Sequence, residues 1–121
     1  MQVVAEVLVG VVAAIHIYIV ILEMFLWTKP RGQKAFGLTA EFAEQTAALA
    51  ANQGLYNGFL AAGLIWGLIA TDPVGYAARV FFLICVIVAG VYGTLTANKR
   101  ILFIQALPAA IALVLVILAH Y

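Results

Sequence analysis

Two ionisable side chains in the first apolar segment could do chemistry. Glu23 and His16 lie within a long run of apolar residues, where lipid offers neither of them a hydrogen-bond partner. A carboxylate in such a place must be protonated, paired or hydrated, and it usually faces the interior of a helix bundle. Glu23 or His16 is therefore the candidate general acid or base of an enzyme, and Glu23 is the candidate proton-exchanging group of a transporter.

A second set of polar residues lies in the apolar segment 49–68. In its first half two asparagines, a glutamine and a tyrosine fall on one continuous arc of a helix, because successive residues turn by about 100°. The apolar segments that contain Glu23, Tyr92 and Gln105 are each flanked on one side by lysine or arginine residues. Counted from these basic ends, Tyr92 and Gln105 reach a depth similar to that of Glu23. The predicted ligand-binding residues are Glu23, Asn52, Gln53, Tyr56, Asn57, Tyr92 and Gln105.

Two contacts follow from depth alone. Asn57 and His16 reach a similar level near the midplane, so a hydrogen bond between them would satisfy both groups. Glu6 and Arg79 reach a similar level near the outer surface of the membrane, where opposite charges would lower each other's cost of burial. We therefore predict a structural ion pair between Glu6 and Arg79.

The composition is that of a membrane protein. Of the 121 residues 67% are hydrophobic and 9% are charged, and the mean hydropathy is +1.16, whereas soluble domains are roughly 45–50% apolar. Because a span needs about 20 apolar residues, the length allows four spans with short connections. We predict an all-α, integral membrane four-helix bundle, a single domain over residues 1–121 with spans at about 3–26, 47–70, 76–97 and 101–119.

Basic residues orient the predicted spans. The first connection holds three lysine or arginine residues and the third holds two, whereas the turn at Asp72 holds none. Basic loops face the cytoplasm, so we expect two cytoplasmic connections and both termini outside. Within the first connection, Thr39 is a candidate N-cap for a short helix that leads into the second span.

Several chemistries are absent from the sequence. It contains no paired-cysteine motif, no H-E-x-x-H, no G-x-S-x-G and no glycine-rich phosphate loop. With two histidines and one cysteine we predict no metal site, and a net charge of +1 does not indicate nucleic acid. The expected partners are membrane lipid and an unidentified small molecule. Gly54 and Gly58 let helices approach closely, which would also suit a homo-oligomer.

Two segments carry a resemblance to a known family. EMFLWTKPRGQKAFGL at 23–38 and LAANQGLYNGFLAAGL at 49–64 resemble the bacterial family of small membrane proteins catalogued as domain of unknown function 1304. The resemblance extends over essentially the whole chain and implies a four-span inner-membrane protein without an established activity. Residues 50–58 are also similar, in Asn57 and Gly58, to the second-span patch of styrene oxide isomerases, which are small four-span haem enzymes. That patch carries a haem-ligating histidine, whereas this chain has none between 49 and 68.

Three interpretations stay open at this point. The favoured one is a polar intramembrane pocket on the cytoplasmic side that binds a small, partly apolar molecule, and that in a transport version exchanges it for a proton through Glu23. The second is an intramembrane enzyme of the isomerase or epoxide-acting type, haem-dependent if His16 holds a haem. The third is a non-catalytic membrane subunit or assembly factor, in which the polar layer only joins helices. We predict no cofactor under the favoured interpretation.

Overall fold

All regular elements of the described chain are helices. The computed structural model describes residues 1–97, 99–100 and 102–121. The helices are α1 (Gln2–Met24), α2 (Pro30–Phe36), α3 (Ala40–Gln45), α4 (Ala47–Ile69), α5 (Val74–Thr96), a π-helix (Leu102–Ala106) and α6 (Leu107–His120). The prediction of an all-α chain is confirmed. The predicted first residue of the fourth span, Ile101, lies outside the described residues.

Three stretches of helix are long and apolar enough to cross a membrane, namely Gln2–Met24, Val74–Thr96 and Phe103–His120. Helix α4 is as long as α1 and α5, with 23 residues each. It does not belong to this set, because the polar residues in its first half lower its mean hydropathy. The three apolar helices indicate a membrane protein. The fourth span and the orientation of the termini stay predictions.

The chain divides into two compact units. One consists of Met1–Ile15 and Leu60–Tyr121, and we call it the Arg79 unit after its buried arginine. The other is His16–Phe59, and we call it the Glu23 unit after its buried glutamate. Helices α1 and α4 each contribute one part to either unit.

The core of the Arg79 unit is built from small and aliphatic side chains. Close approach is clearest at Gly90 of α5, where a Cβ would lie 2.7 Å from the backbone nitrogen of Ala106. Pro108 is the second residue of α6, and α6 directly follows the π-helix. The missing N–H of proline is easier to accommodate in this first turn than in a regular helix interior. The buried core residues are Ala5, Val9, Val12, Ala13, Leu64, Leu83, Val86, Ala109, Ala112 and Val116.

Arg79 pairs with a different carboxylate from the one predicted. Its Nη1 donates to the carbonyl of Gly67 at 2.6 Å, and its Nη2 lies 3.4 Å from Oδ1 of Asp72. Glu6 instead accepts a hydrogen bond of 3.2 Å from Gln2, and the predicted pair of Glu6 with Arg79 is not formed among the described residues. The reason is local: the turn between α4 and α5 places Asp72 seven residues before Arg79, so the hairpin supplies its own partners.

The Glu23 unit contains the two short helices of the first connection. Pro30 begins α2, a position that needs no amide hydrogen, and Gly37 ends that helix in the left-handed conformation with φ of 66°. Thr39 caps α3, because its Oγ1 accepts a hydrogen bond from the backbone nitrogen of Phe42 at 3.1 Å. The predicted N-cap is therefore confirmed, and the connection between α1 and α4 is folded.

Candidate functional site

The candidate site is centred on Glu23, the last residue but one of α1. Its side chain is buried, with 8% exposed, and so is Asn57 of α4, with 9% exposed. The Asn57 Nδ2 donates to Oε1 of Glu23 at 2.7 Å and also to the carbonyl of Gln53 at 3.2 Å. A distance of 2.7 Å is at the short end of the range for N–H···O hydrogen bonds in proteins. The pair therefore fixes one oxygen of the glutamate.

Two glycines allow α4 to approach α1 closely enough for this contact. A Cβ at Gly54 would lie 2.6 Å from Cγ of Met24 and 3.1 Å from Cβ of Glu23, and one at Gly58 would lie 3.7 Å from Val20. On the helix Asn57 is only about 60° away from Gly54. Asn57 thus lies at the edge of the polar arc that borders the glycine face, and this is why it meets α1.

A groove of about 380 Å³ opens beside Glu23 within the same unit, and we call it the Glu23 groove. Trp27 Nε1 donates to Oγ1 of Thr46 at 3.0 Å, and Thr46 Oγ1 donates in turn to the carbonyl of Phe42 at 2.7 Å. These bonds hold an aromatic wall in place on the side of the first connection. The residues that line the groove are Glu23, Trp27, Phe42, Thr46, Leu49, Ala50 and Gln53.

The second oxygen of Glu23 is one of the acceptors in the wall of this groove. Oε1 already accepts the hydrogen of Asn57, and among the described residues every buried side-chain nitrogen or oxygen has a partner. Because Glu23 itself lines the groove, Oε2 is accessible to a molecule held there. The site can therefore accept a hydrogen bond from a ligand, or a proton, at one defined atom.

The structure brings together three of the predicted binding residues: Glu23 and Asn57 are bonded, and Gln53 lines the groove. Asn52 is exposed and donates to the carbonyl of Ala48 in its own helix. Tyr56 is 59% exposed, with its ring 6.2 Å from that of Phe59. Neither Asn52 nor Tyr56 is among the residues that line the groove.

The other predicted residues are not among those that line the Glu23 groove. Tyr92, with 69% exposed, and Gln105 belong to the Arg79 unit, and their part in the site stays a prediction. His16 is completely buried and does not line the groove. The Nδ2 of Asn57, which we expected to satisfy His16, donates instead to Glu23.

The difference in the partner of Asn57 is one of register between α1 and α4. The depth argument aligned the two helices at their ends in the first connection. In the structure, Met24 at the end of α1 faces Gly54, which is seven residues after the start of α4 at Ala47. Seven residues are about 10 Å of helix, and this offset brings Asn57 to the level of Glu23.

Sequence reasoning missed the wall of the groove. Trp27, Phe42 and Thr46 come from the connection and its short helices, and Trp27 directly follows the first predicted span at about 3–26. The available signal was the capped helix after Thr39, because it shows that the connection is ordered enough to shape a site.

Comparisons with known proteins agree on the family. Residues 10–117 match the family described as "Protein of unknown function (DUF1304)". The chain is also 33% identical over 105 residues to the "Uncharacterized protein YpaA" of Lactococcus lactis subsp. lactis (strain IL1403), an alignment that covers 85% of this chain and 87% of that protein. No solved structure matches. The chain therefore belongs to the DUF1304 family of proteins of unknown function, as the segments 23–38 and 49–64 indicated.

Proposed function

We propose that this chain is a four-span inner-membrane protein that binds a small, partly apolar molecule in the Glu23 groove and exchanges it for a proton. The observation that carries the proposal is the 2.7 Å hydrogen bond from Asn57 to buried Glu23, directly beside a groove with aromatic walls. A buried ionisable group in a membrane helix typically marks a ligand or proton path.

The length of α4 supports its assignment as the fourth membrane helix. Its 23 residues extend about 34 Å, enough for a hydrocarbon core of about 30 Å. Asn57 is the deepest of its polar residues and is already bonded to Glu23, which lowers the cost of placing this helix in lipid. With the basic connections in the cytoplasm, both termini are outside and the Glu23 groove opens on the cytoplasmic side.

The groove suits a ligand with an apolar body and a hydrogen-bond donor. Its volume of about 380 Å³ lies at the lower end of small-molecule sites, which measure about 300–1,000 Å³. Trp27, Phe42 and Leu49 supply apolar surface, while Oε2 of Glu23 accepts a hydrogen bond. In the proposed exchange, Oε2 carries a proton when the groove is empty and releases that proton to solvent when the ligand binds and donates to Oε2.

A fluorescence titration tests binding, with Trp27 as the reporter. The chain has two tryptophans, so Trp66→Phe leaves Trp27 as the single tryptophan in the wall of the groove. The probe is N-phenyl-1-naphthylamine, which has two apolar ring systems and one N–H donor. We expect saturable quenching of Trp27 emission, and release of protons into weakly buffered detergent solution as the probe binds.

Glu23→Gln is the decisive variant and Glu6→Gln is its matched control in the same helix. Loss of a hydrogen bond to a charged group costs about 1.5–3 kcal/mol, so Glu23→Gln should weaken probe binding by at least about tenfold and abolish proton release. Glu6→Gln should change neither quantity. Equal affinity and equal proton release in the two variants would contradict the proposal.

A further inference from the structure

A second groove, of about 450 Å³, lies in the first connection and shares no lining residue with the Glu23 groove. We call it the Arg31 groove. Its lining residues come from the last two turns of α1 and from α2, and they are Tyr18, Pro30, Arg31, Lys34 and Ala35.

Arg31 reaches from α2 back to the side of α1. Its Nη1 donates to the hydroxyl of Tyr18 over 3.5 Å, a long and weak hydrogen bond. A guanidinium carries five N–H donors, so most of its hydrogen-bonding capacity remains for a ligand. Lys34 follows Arg31 by three residues, and side chains at this spacing lie on the same face of a helix. The two cations therefore border one cavity.

The charge of this groove is of one sign. Two cations and a phenol line it, and there is no carboxylate among its described lining residues. The acidic residues of the connection, Glu41 and Glu44, belong to α3 and do not take part in the lining. A planar guanidinium beside a lysine and a hydroxyl matches the oxygens of a phosphate group.

The position of Tyr18 sets the level of the groove in the membrane. Tyr18 lies six residues before the end of α1 at Met24, which is about 9 Å along the helix axis. The tyrosine ring is apolar and its tip is polar, and from this depth the hydroxyl of Tyr18 contacts Arg31 of the first connection. Next to Tyr18, the side chains of Ile17 and Ile21 are 44% and 41% exposed, so an acyl chain can lie against them.

We propose that the Arg31 groove binds the phosphate of an anionic phospholipid, with Arg31 and Lys34 as its ligands and Tyr18 as an additional hydrogen-bond donor. The lipid's acyl chains lie along the exposed apolar side chains of α1. The proposal does not depend on the function proposed for Glu23, because no residue of the Glu23 groove takes part in it.

Native mass spectrometry of the whole chain tests this site. The protein is released from nanodiscs of phosphatidylcholine that contain increasing fractions of phosphatidylglycerol, and retained lipid is counted. The double variant Arg31→Gln/Lys34→Gln is compared with Lys99→Gln/Arg100→Gln, which removes the same two charges from another connection. We expect each basic side chain that binds the phosphate directly to contribute a factor of about five in affinity.

We expect retention of phosphatidylglycerol by the parent chain, an affinity about twentyfold lower in Arg31→Gln/Lys34→Gln, and little change in Lys99→Gln/Arg100→Gln. Excess inorganic phosphate should not displace the lipid, because the acyl chains add apolar contact. Equal losses in both double variants would mean general attraction to the surface and would overturn the proposal. Displacement by inorganic phosphate would assign the groove to a free phosphate and would overturn the lipid as its ligand.

Discussion

Replacing Asn57 by alanine should destabilise the Glu23 unit, because it removes the hydrogen bond that holds Glu23. Nδ2 of Asn57 lies 2.7 Å from Oε1 of Glu23, and a carboxyl that is 8% exposed loses this partner in the variant. Leaving a buried acceptor without its hydrogen-bond donor costs about 1–3 kcal/mol. We expect the free energy of unfolding of Asn57→Ala to fall by about 2 kcal/mol.

A double-mutant cycle separates this contact from other effects of the substitution. Glu23→Ala, Asn57→Ala and the double variant are compared with the parent chain by reversible unfolding in mixed micelles, followed by Trp27 fluorescence. The hydrogen bond from Asn57 to the carbonyl of Gln53 is lost with and without Glu23, so it cancels in the cycle. The expected coupling energy is about 1–3 kcal/mol.

Asn52→Ala is the matched control for this cycle. Asn52 lies in the same helix, is exposed and bonds only a carbonyl of its own helix among the described contacts, so its replacement should cost within about 0.5 kcal/mol. A coupling energy below about 0.5 kcal/mol, or equal losses in the two asparagine variants, would refute the reasoning.

Two further predictions concern packing and topology. Gly90→Ala should destabilise the Arg79 unit by about 1–3 kcal/mol, because the new Cβ would meet the backbone of Ala106. Gly10→Ala is the control and should be neutral or stabilising, because nothing lies within 4 Å of its new Cβ. Equal shifts of the melting temperature in the two variants would contradict this prediction. With both termini outside, alkaline phosphatase fused after Tyr121 should be active and green fluorescent protein fused there should not fluoresce. Fusions after Phe36, in the first connection, should give the reverse result. Active phosphatase at both sites would exclude the proposed orientation.

The helices could be predicted from the sequence because the features that produce them are local. Long apolar runs predicted α1 and α5, and the hydroxyl of Thr39 predicted the start of α3. Glu23 and Asn57 were recognised for the same kind of reason: each is a polar side chain within an apolar helix, and such a group requires a partner.

Which of these groups pair with each other could not be predicted from the sequence. The pairing depends on the register between helices and on neighbouring residues, and depth in the membrane determines neither. An offset of seven residues between the ends of α1 and α4 decides that Asn57 meets Glu23. Arg79 likewise bonds Asp72 and the carbonyl of Gly67 within its own hairpin, while equal depth pointed to Glu6. A similar depth in the membrane identifies candidate partners for a polar side chain. Close contacts between helices at glycines then determine which of these candidates meet.

The most direct test of the account is native mass spectrometry of the chain purified in mild detergent, with an absorption spectrum of the same sample. The account predicts a colourless protein that retains a small molecule, and loss of that mass in Glu23→Gln but not in Glu6→Gln. A bound mass equal to haem, with a Soret band that disappears in His16→Ala, would contradict it and favour the enzyme interpretation.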